Sequence, residues 1–241
     1  MTSSDEAIPE NVWISQNPFV QHALALLRDK DCPGATFRDL LNQISVFLTF
    51  EAMSELPVGM KSYHSKTPTG FEYEGRAINS REFALIALMR SGQTMASAVH
   101  PYLPSSFIGH AGFRLAKGSD QMTAFYLAMP DLADKFCLVF DSGAISGRSV
   151  VSTIEYMITR KNADPDRIAI ITAITTKPAI ELLNQKFPGE NVKVYAAACD
   201  TKIHNDGRIT YSEPGAGSFQ ERMFGSVTPY EEKYETWGGE L

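Results

Sequence analysis

Four short, nearly unbroken apolar runs constrain the fold of this chain more than any other feature of its sequence. They occupy residues 83–89, 136–140, 168–174 and 192–198. Runs of this length and composition are typical of β-strands that are covered on both faces. Segments with apolar residues at helical spacing follow the middle two runs, so strands and helices alternate along the chain. The pattern predicts an α/β fold in which a parallel sheet is flanked by helices.

Two helical patterns and a turn-rich stretch precede the first of these runs. The pair Asn17-Pro18 supplies a cap and a first-turn residue for a short amphipathic helix. A longer helix, with a capping box that begins at Thr36, is expected to run to about Leu56. Glycines, prolines and aromatic residues are interleaved across 57–80, which favours extended segments and turns, as in a hairpin.

The chain is interpreted as one domain with two tails. The domain covers 17–225, residues 1–16 form a polar N-terminal tail, and 226–241 form a charged and aromatic C-terminal tail. Within the domain, 107–108 and 125–127 are expected to add a central strand and a flanking β-ribbon.

Composition excludes several classes of function. With 22 basic and 28 acidic residues the formal net charge is −6, which argues against a surface for nucleic acid. Cys32, Cys137 and Cys199 are scattered and form no metal-ligand motif, which indicates a reducing compartment and no structural zinc. The first residues do not resemble a signal peptide, and no run approaches the roughly 18–20 apolar residues of a membrane span. We therefore expect a cytoplasmic protein without a membrane partner.

The segment 136–149 carries the clearest chemical signal. Its apolar strand ends at Asp141, and a loop that contains Gly143 and Gly147 leads into a helix. In an open parallel sheet, ligands bind beyond the carboxyl ends of the strands, and the N–H groups at a helix N-terminus can hold an anion. The spacing fits one phosphate and matches neither the Walker nor the Rossmann glycine pattern. Taken alone, it also fits an ordinary strand–turn–helix junction without a ligand.

From about Asn17 to Gly225 the chain resembles the uracil phosphoribosyltransferases. Residues 141–149 are similar to the family's Asp-Pro-x-x-Ala-Thr-Gly-Gly-Ser loop, 88–92 to its Leu-Arg-Ala-Gly loop, 37–52 to its Phe-Arg … Glu-Ala helix, and 67–70 to the turn of its β-arm. The resemblance implies a type I phosphoribosyltransferase fold with a β-arm at 57–80 and an N-terminal helical segment. It also implies transfer of phosphoribosyl from 5-phosphoribosyl 1-diphosphate to uracil, which gives UMP and diphosphate in pyrimidine salvage.

The same resemblance implies roles for individual residues. Asp141 would accept hydrogen bonds from ribose hydroxyls, and Arg90 would hold the diphosphate, so these two are the expected catalytic residues. A guanidinium fork suits that task because it binds two phosphate oxygens at once. Arg114 would reach the same substrate from a mobile flap. The other positions expected to bind the donor are Ser91, Gly92, Ser142, Gly143, Ala144, Ile145, Ser146, Gly147, Arg148, Ser149 and Ser218.

The base loop departs from the family pattern, which typically reads Tyr-Ile-x-Pro-Gly-Leu-Gly-Asp-Ala-Gly-Asp-Arg-x-Phe-Gly. Here extra residues precede Pro214, and Ser218 and Phe219 replace aspartate and alanine. Phe219 would either stack on a base or fill the base pocket. By position, the expected base-binding residues are Ile209, Gly217, Ser218 and Phe219. Asp200 matches an aspartate that precedes this loop in the family, and a turn cap is the simplest role for it. Residues 204–207 are interpreted as a hairpin turn.

Three functions stay open at this point. The first is transfer of phosphoribosyl to uracil, with Mg²⁺ bound mainly through the substrate and a homodimer as the expected assembly. The second is the same transfer to another pyrimidine-like or modified base, because the base loop is altered. The third is a non-catalytic protein that binds phosphoribosyl diphosphate or a nucleotide and regulates a partner.

Overall fold

The computed structural model describes residues 8–56, 58, 60–115, 121–189, 191–205 and 210–225. The helices are α1 (Pro18–Arg28), α2 (Gly34–Glu55), α3 (Ser91–Val99), α4 (Arg148–Lys161), α5 (Lys177–Lys186) and α6 (Phe219–Phe224). The strands are β1 (Val12–Ile14), β2 (Met60–Lys66), β3 (Glu72–Ile78), β4 (Phe83–Leu88), β5 (Phe107–Leu115), β6 (Met122–Ala128), β7 (Phe136–Phe140), β8 (Gly143–Ala144), β9 (Ile168–Thr176), β10 (Lys193–Asp200), β11 (Lys202–Asn205) and β12 (Thr210–Glu213).

The four apolar runs form the middle of one sheet, as predicted. They are β4, β7, β9 and β10, and the strand order is β1-β10-β9-β7-β4-β5-β6, with β8 paired to β9. All of these pairs are parallel except β5–β6, which is antiparallel. The prediction of an α/β fold with a mostly parallel sheet is therefore confirmed.

Different helices cover the two faces of the sheet. Phe83 and Leu85 of β4 pack into an apolar cluster with side chains of α1, α2, α3 and α6, whereas Ala84 and Ile86 pack into a second cluster with α4 and α5. Successive side chains of a strand point to opposite faces, so a strand between two helical layers is apolar at every position. This arrangement explains why β4 reads as an unbroken apolar run.

The segment before α1 is not only a tail, which corrects the prediction for 1–16. Val12–Ile14 pairs in parallel with β10 at the sheet edge, and Ser15 is fully buried. Glu51 of α2 holds this segment by accepting hydrogen bonds from Trp13 Nε1 at 2.9 Å and Ser15 Oγ at 2.7 Å. A strand of three residues is too short to show the alternation from which strands are predicted.

The two N-terminal helices begin differently. Asn17 caps α1 by accepting a hydrogen bond from the Phe19 amide at 3.0 Å, as predicted. The capping box predicted at Thr36 is wrong, because α2 already begins at Gly34 and has no side-chain cap. A Cβ at Gly34 would lie 2.7 Å from the Arg222 carbonyl oxygen, so the start of α2 is fixed by its close contact with α6.

The remaining extended segments form hairpins. The predicted β-arm is the antiparallel pair β2–β3, whose turn is closed by a hydrogen bond from the Gly70 amide to the Thr67 carbonyl at 2.8 Å. The strand predicted at 107–108 is β5, which lies one place from the sheet edge, and the predicted ribbon is β6 at that edge. His204 lies in β11 rather than in a turn, and 206–209 lie outside the described residues. Within the described part of the chain, no helix has the length and apolar character needed to cross a membrane.

Candidate active site

The parallel topology brings two candidate loops to the same edge of the sheet. β4 and β7 are neighbours, with Ala87 opposite Phe140, so the residues that follow them emerge side by side at their carboxyl ends. Arg90 follows β4 and precedes the first turn of α3, and Asp141 follows β7 directly. Ligands bind at this edge in open parallel sheets. The structure thus places side by side the two loops that carry the residues expected to be catalytic.

Gly92 allows the two loops to lie in direct contact. A Cβ at this position would lie only 2.1 Å from the Phe140 carbonyl oxygen. The sequence analysis placed Gly92 among the residues expected to bind the donor; the close approach that the structure shows at this position is between the first turn of α3 and the end of β7. Beside it, Ser142 Oγ donates a hydrogen bond to Ser91 Oγ at 2.6 Å, and both residues are buried.

Asp141 combines a polar function with a desolvated position. Its amide donates to the Ile171 carbonyl at 3.2 Å, and its carboxylate accepts a long hydrogen bond of 3.4 Å from the Gly143 amide. Burial raises the pKa of the Asp141 carboxyl group to about 6, and the Gly143 N–H lowers this pKa by a smaller amount. A part-buried carboxylate of this kind is a good acceptor for hydroxyl donors, because fewer waters compete for its oxygens than at the surface.

The loop after Asp141 is held mainly by β9. The Ala144 amide donates to Thr172 Oγ1 at 3.2 Å, and Thr176 Oγ1 donates to the Ile145 carbonyl at 2.7 Å. Gly147 ends the loop with φ 70°, and a Cβ there would lie 3.0 Å from the backbone of Ala179 in α5. Because these contacts fix the loop, the first turn of α4 presents its N–H groups in a defined direction.

A cleft of about 550 Å³ opens at this helix N-terminus. Its lining is polar at one side, where Ser146, Arg148 and Ser149 belong to the predicted phosphate loop. The opposite walls come from the end of the β5–β6 hairpin, from α5 and from the β11–β12 hairpin. A helix N-terminus that faces a cleft of this size can accept a phosphate group.

Arg90 points from its loop toward α6. Its Nε and Nη2 atoms lie 3.4 and 3.3 Å from Gln220 Oε1, and its guanidinium carbon lies 5.8 Å from the centre of the Phe224 ring. Hydrogen bonds of this length are weak, so the guanidinium can exchange them for stronger bonds to an anion. Arg90 thereby connects the β4 loop with the helix that follows the base loop.

Arg114 lies on the antiparallel hairpin at the edge of the sheet. It is an exposed residue within β5, opposite Thr123 of β6, and residues 116–120 at the expected flap lie outside the described residues. Among the described residues, Arg114 makes no hydrogen bond to Arg90 or Asp141. Its neighbour Leu115 does line the cleft beside Ser146.

Asp200 is the anchor of the base loop rather than a simple turn cap. It forms an ion pair with Arg28 of α1, with Nη2 2.7 Å from Oδ1, and it accepts hydrogen bonds from Ser212 Oγ at 2.6 Å and the Gly215 amide at 2.9 Å. Burial acts to raise the pKa of Asp200, but the Arg28, Ser212 and Gly215 donors outweigh it and lower the pKa. Arg28 also donates to the Gly215 carbonyl at 2.8 Å.

Arg222 fixes the other end of this loop. Its guanidinium donates to the carbonyls of Ala216 at 2.9 Å and Leu27 at 2.8 Å, and it lies 4.3 Å from the centre of the Phe37 ring. The sequence analysis did not single out Arg28 or Arg222. Their partners are backbone carbonyls and a distant aspartate, and no local sequence pattern indicates such contacts.

The residues that replace the family's aspartate and alanine have structural partners here. Ser218 Oγ caps α6 by accepting a hydrogen bond from the Glu221 amide at 3.3 Å. Phe219 is 7% exposed, and its ring meets that of Phe37 edge to face at 5.5 Å between centres. A Cβ at Gly143 would lie 3.3 Å from the Phe219 ring, so this ring packs between α2 and the phosphate loop. Gly217 is exposed with φ 70°, and Ile209 lies outside the described residues.

Comparisons with known proteins agree with this geometry. The family model for uracil phosphoribosyltransferase matches residues 14–226. A uracil phosphoribosyltransferase of Dictyoglomus turgidum is 31% identical over 216 residues, which cover 89% of this chain and 99% of that protein. The solved structure of the AQ2163 protein from Aquifex aeolicus has a TM-score of 0.77 at 18% identity and covers 91% of this chain and 100% of its own.

A more distant structure carries the same fold. An adenine phosphoribosyl transferase from Trypanosoma brucei, solved in complex with AMP, pyrophosphate and ribose-5-phosphate, has a TM-score of 0.50 at 10% identity. The matched region covers 95% of this chain and 97% of the Trypanosoma brucei chain. With a family match that spans most of its length, the chain belongs to the uracil phosphoribosyltransferase family.

Proposed function

We propose that this protein transfers the phosphoribosyl group of 5-phosphoribosyl 1-diphosphate to uracil and releases diphosphate. The observation that carries the proposal is the placement of Arg90 and Asp141 on touching loops, with the N-terminus of α4 one loop away. This arrangement offers a cation, a carboxylate and an anion site, which match the three parts of the donor. Family membership supports uracil as the acceptor.

Each of these groups has a task in the transfer. Asp141 accepts hydrogen bonds from the ribose hydroxyls, and the first turn of α4 holds the 5-phosphate together with Ser146 and Ser149. Arg90 leaves Gln220 and stabilises the negative charge that develops on the departing diphosphate. A ring nitrogen of uracil bonds to the anomeric carbon as the carbon–oxygen bond to diphosphate breaks, and the proton of that nitrogen is released to solvent. Catalysis on this scheme is positioning and electrostatic stabilisation.

We propose Mg²⁺ as the cation that accompanies the donor. Magnesium prefers oxygen ligands and retains several waters, so a site with few protein carboxylates is compatible with an ion bound mainly to the substrate. Asp141 is the only residue with a carboxylate in the two loops, 88–92 and 141–149. When bound, the ion would neutralise charge on the diphosphate.

The assembly and location are also proposals. The β-arm exposes Tyr63, Phe71 and Tyr73, and apolar surface of this kind is compatible with a homodimer. Light scattering at micromolar concentration measures this directly, and a mass near 26.6 kDa would contradict the dimer. Three free cysteines and a phosphorylated donor fit the cytoplasm.

The decisive test is mass spectrometry of the products after the protein is mixed with donor, Mg²⁺ and a panel of free bases. We expect UMP and diphosphate to accumulate with uracil. Turnover of another base but not of uracil would show that the acceptor is a different base, whereas the protein would still be a phosphoribosyltransferase. Donor binding by calorimetry without diphosphate release with any base would instead favour a regulatory protein.

One observation favours the second acceptor class. Ser218 caps α6 where the family has an aspartate, and the ring of Phe219, which replaces an alanine, packs against Phe37, so the base loop differs from the family pattern in charge and in shape. The base panel therefore includes pyrimidines with substituents on the ring as well as uracil.

A further inference from the structure

The two loops of the candidate site are joined by one buried side-chain hydrogen bond. Ser142 Oγ donates to Ser91 Oγ at 2.6 Å, and the two residues are only 2% and 3% exposed. A hydroxyl pair of this length, shielded from water, is strongly directional. Both serines were expected to bind the donor, but each side chain is directed at the other loop.

The two serines lie next to the two residues that were expected to be catalytic. Ser91 follows Arg90 directly, and Ser142 follows Asp141 directly. The bond therefore connects the residue after the guanidinium with the residue after the carboxylate. Next to it, the contact between Gly92 and the Phe140 carbonyl leaves the two backbones no room to approach further.

These two contacts limit the distance between the two loops in opposite directions. The Gly92 contact sets a lower limit on the separation of the loops, because a closer approach would overlap atoms. The Ser91–Ser142 bond sets an upper limit, because separation of the loops would leave two buried hydroxyls without their partner. Together they define the spacing of the segments that carry Arg90 and Asp141.

We propose that Ser91 and Ser142 are a matched pair of positioning residues that fixes the spacing of Arg90 and Asp141 for the ribosyl donor. The role in donor use rests on the proposed function, whereas the mechanical coupling of the loops does not. The similar family loops have alanine and proline at these two positions, and neither residue carries a hydroxyl. The bond is thus a feature of this chain in which both partners depart from the family pattern together.

The first experiment measures the coupling without any ligand. Amide hydrogen exchange is followed in the wild-type protein, in Ser91→Ala and in Ser97→Ala, a matched control on the exposed side of α3. We expect Ser91→Ala to speed exchange of the segment 141–147 by about threefold or more, because local opening becomes easier. Unchanged exchange in that segment would overturn the proposal, as would an equal effect of Ser97→Ala.

The second experiment separates positioning from stability. Ser91→Ala, Ser142→Ala and the double variant are compared for donor affinity, for kcat/KM with respect to the donor and for Tm. Each single variant leaves one buried hydroxyl unpaired, so we expect the lowest Tm in the single variants and a partial recovery in the double variant. We expect donor kcat/KM to stay about three- to tenfold low in all three, because the constraint is absent in each.

Recovery of kcat/KM together with Tm in the double variant would show a merely structural bond and overturn the proposal. A wild-type protein without transferase activity would contradict the proposed function instead. In that case, hydrogen exchange and the calorimetric affinity for the donor with Mg²⁺ still decide whether the pair positions the loops.

Discussion

At the scale of single residues, the proposed chemistry depends on one carboxyl group in an unusual environment. Asp141 lies at the carboxyl end of β7, where burial raises its pKa to about 6. An ionised carboxylate is a stronger acceptor for ribose hydroxyls than a protonated carboxyl group, and the burial that raises the pKa of Asp141 brings its protonation close to neutral pH.

We expect donor kcat/KM to fall as the pH decreases through about 6, because protonation of Asp141 removes its charge and weakens it as an acceptor. Asp141→Asn abolishes this pH dependence and lowers kcat/KM by about 100-fold or more, at the strong end of losses for one charged contact. A pH–rate profile of both proteins measures this, and an unchanged profile in the variant would assign the titration to another group.

The same substitution has an opposite effect on stability. Since the pKa is raised on folding, the Asp141 carboxyl group favours the folded state below its ordinary pKa near 4, and this benefit is lost as the pH rises through about 6. At pH 7 the ionised group is a cost, so Asp141→Asn should raise the free energy of unfolding by about 1–3 kcal/mol. Urea denaturation at pH 7 tests this, and a decrease would contradict it.

Gly92 is the second residue whose identity is restricted. A methyl group here would meet the Phe140 carbonyl at 2.1 Å, so Gly92→Ala should destabilise the protein by about 1–3 kcal/mol and impair donor use. Gly75 in β3 is a matched control, because the atom nearest to an added Cβ lies 3.5 Å away. Thermal denaturation of both variants tests this prediction. Equal decreases in Tm would contradict the steric explanation.

At the scale of elements, the base loop is positioned from α1 and α6 rather than by its own sequence. Asp200 at the end of β10 forms an ion pair with Arg28 of α1, and Arg222 of α6 donates a hydrogen bond to the Ala216 carbonyl. Cations from two different helices therefore shape the loop. Ser212, Gly215 and Ala216 of the loop are held by these contacts even though its centre departs from the family pattern.

Arg28→Ala should lower the free energy of unfolding by about 3 kcal/mol, because it leaves the Asp200 carboxylate buried without its cation. Lys30→Ala is the control, since Lys30 pairs with Asp31 on the surface, where both side chains are largely exposed. Equal effects of the two variants in urea denaturation would contradict the anchoring role.

The difference between wild type and Arg28→Ala should also depend on pH. The pKa of Asp200 is lowered on folding, so the stabilisation is present above the ordinary aspartate pKa near 4 and is lost as the pH falls below it. Denaturation curves of both proteins from pH 7 to pH 3 should therefore converge toward the acidic end.

At the scale of the whole molecule, stability comes from a sheet that is buried on both faces. Ile86 in β4 is fully buried against the layer of α4 and α5, whereas Ile78 at the end of the β-arm is 42% exposed. Ile86→Ala should cost about 2–5 kcal/mol and Ile78→Ala less than about 1 kcal/mol. Calorimetric unfolding measures the stability of both variants. A similar loss of stability in each would mean that the β-arm is part of the core of the domain.

Most of this architecture could be predicted from the sequence, because it follows from local patterns. The apolar runs identified β4, β7, β9 and β10, and Asn17-Pro18 marked the start of α1. The position of Asp141 at the end of an apolar run, before a glycine-containing loop, marked the candidate site. These signals are local because strand burial and helix capping act over a few residues.

The remaining features were decided only by the tertiary structure, because they join residues that are distant along the chain. β1 exists through pairing with β10, α2 begins two residues before its expected cap because Gly34 packs on α6, and Phe219 is placed by Phe37. The sequence alone determined which segments carry a cation, a carboxylate and an anion site. The packing of neighbouring strands decided that the loops carrying the cation and the carboxylate lie side by side, since contact between serines 51 residues apart has no local signature.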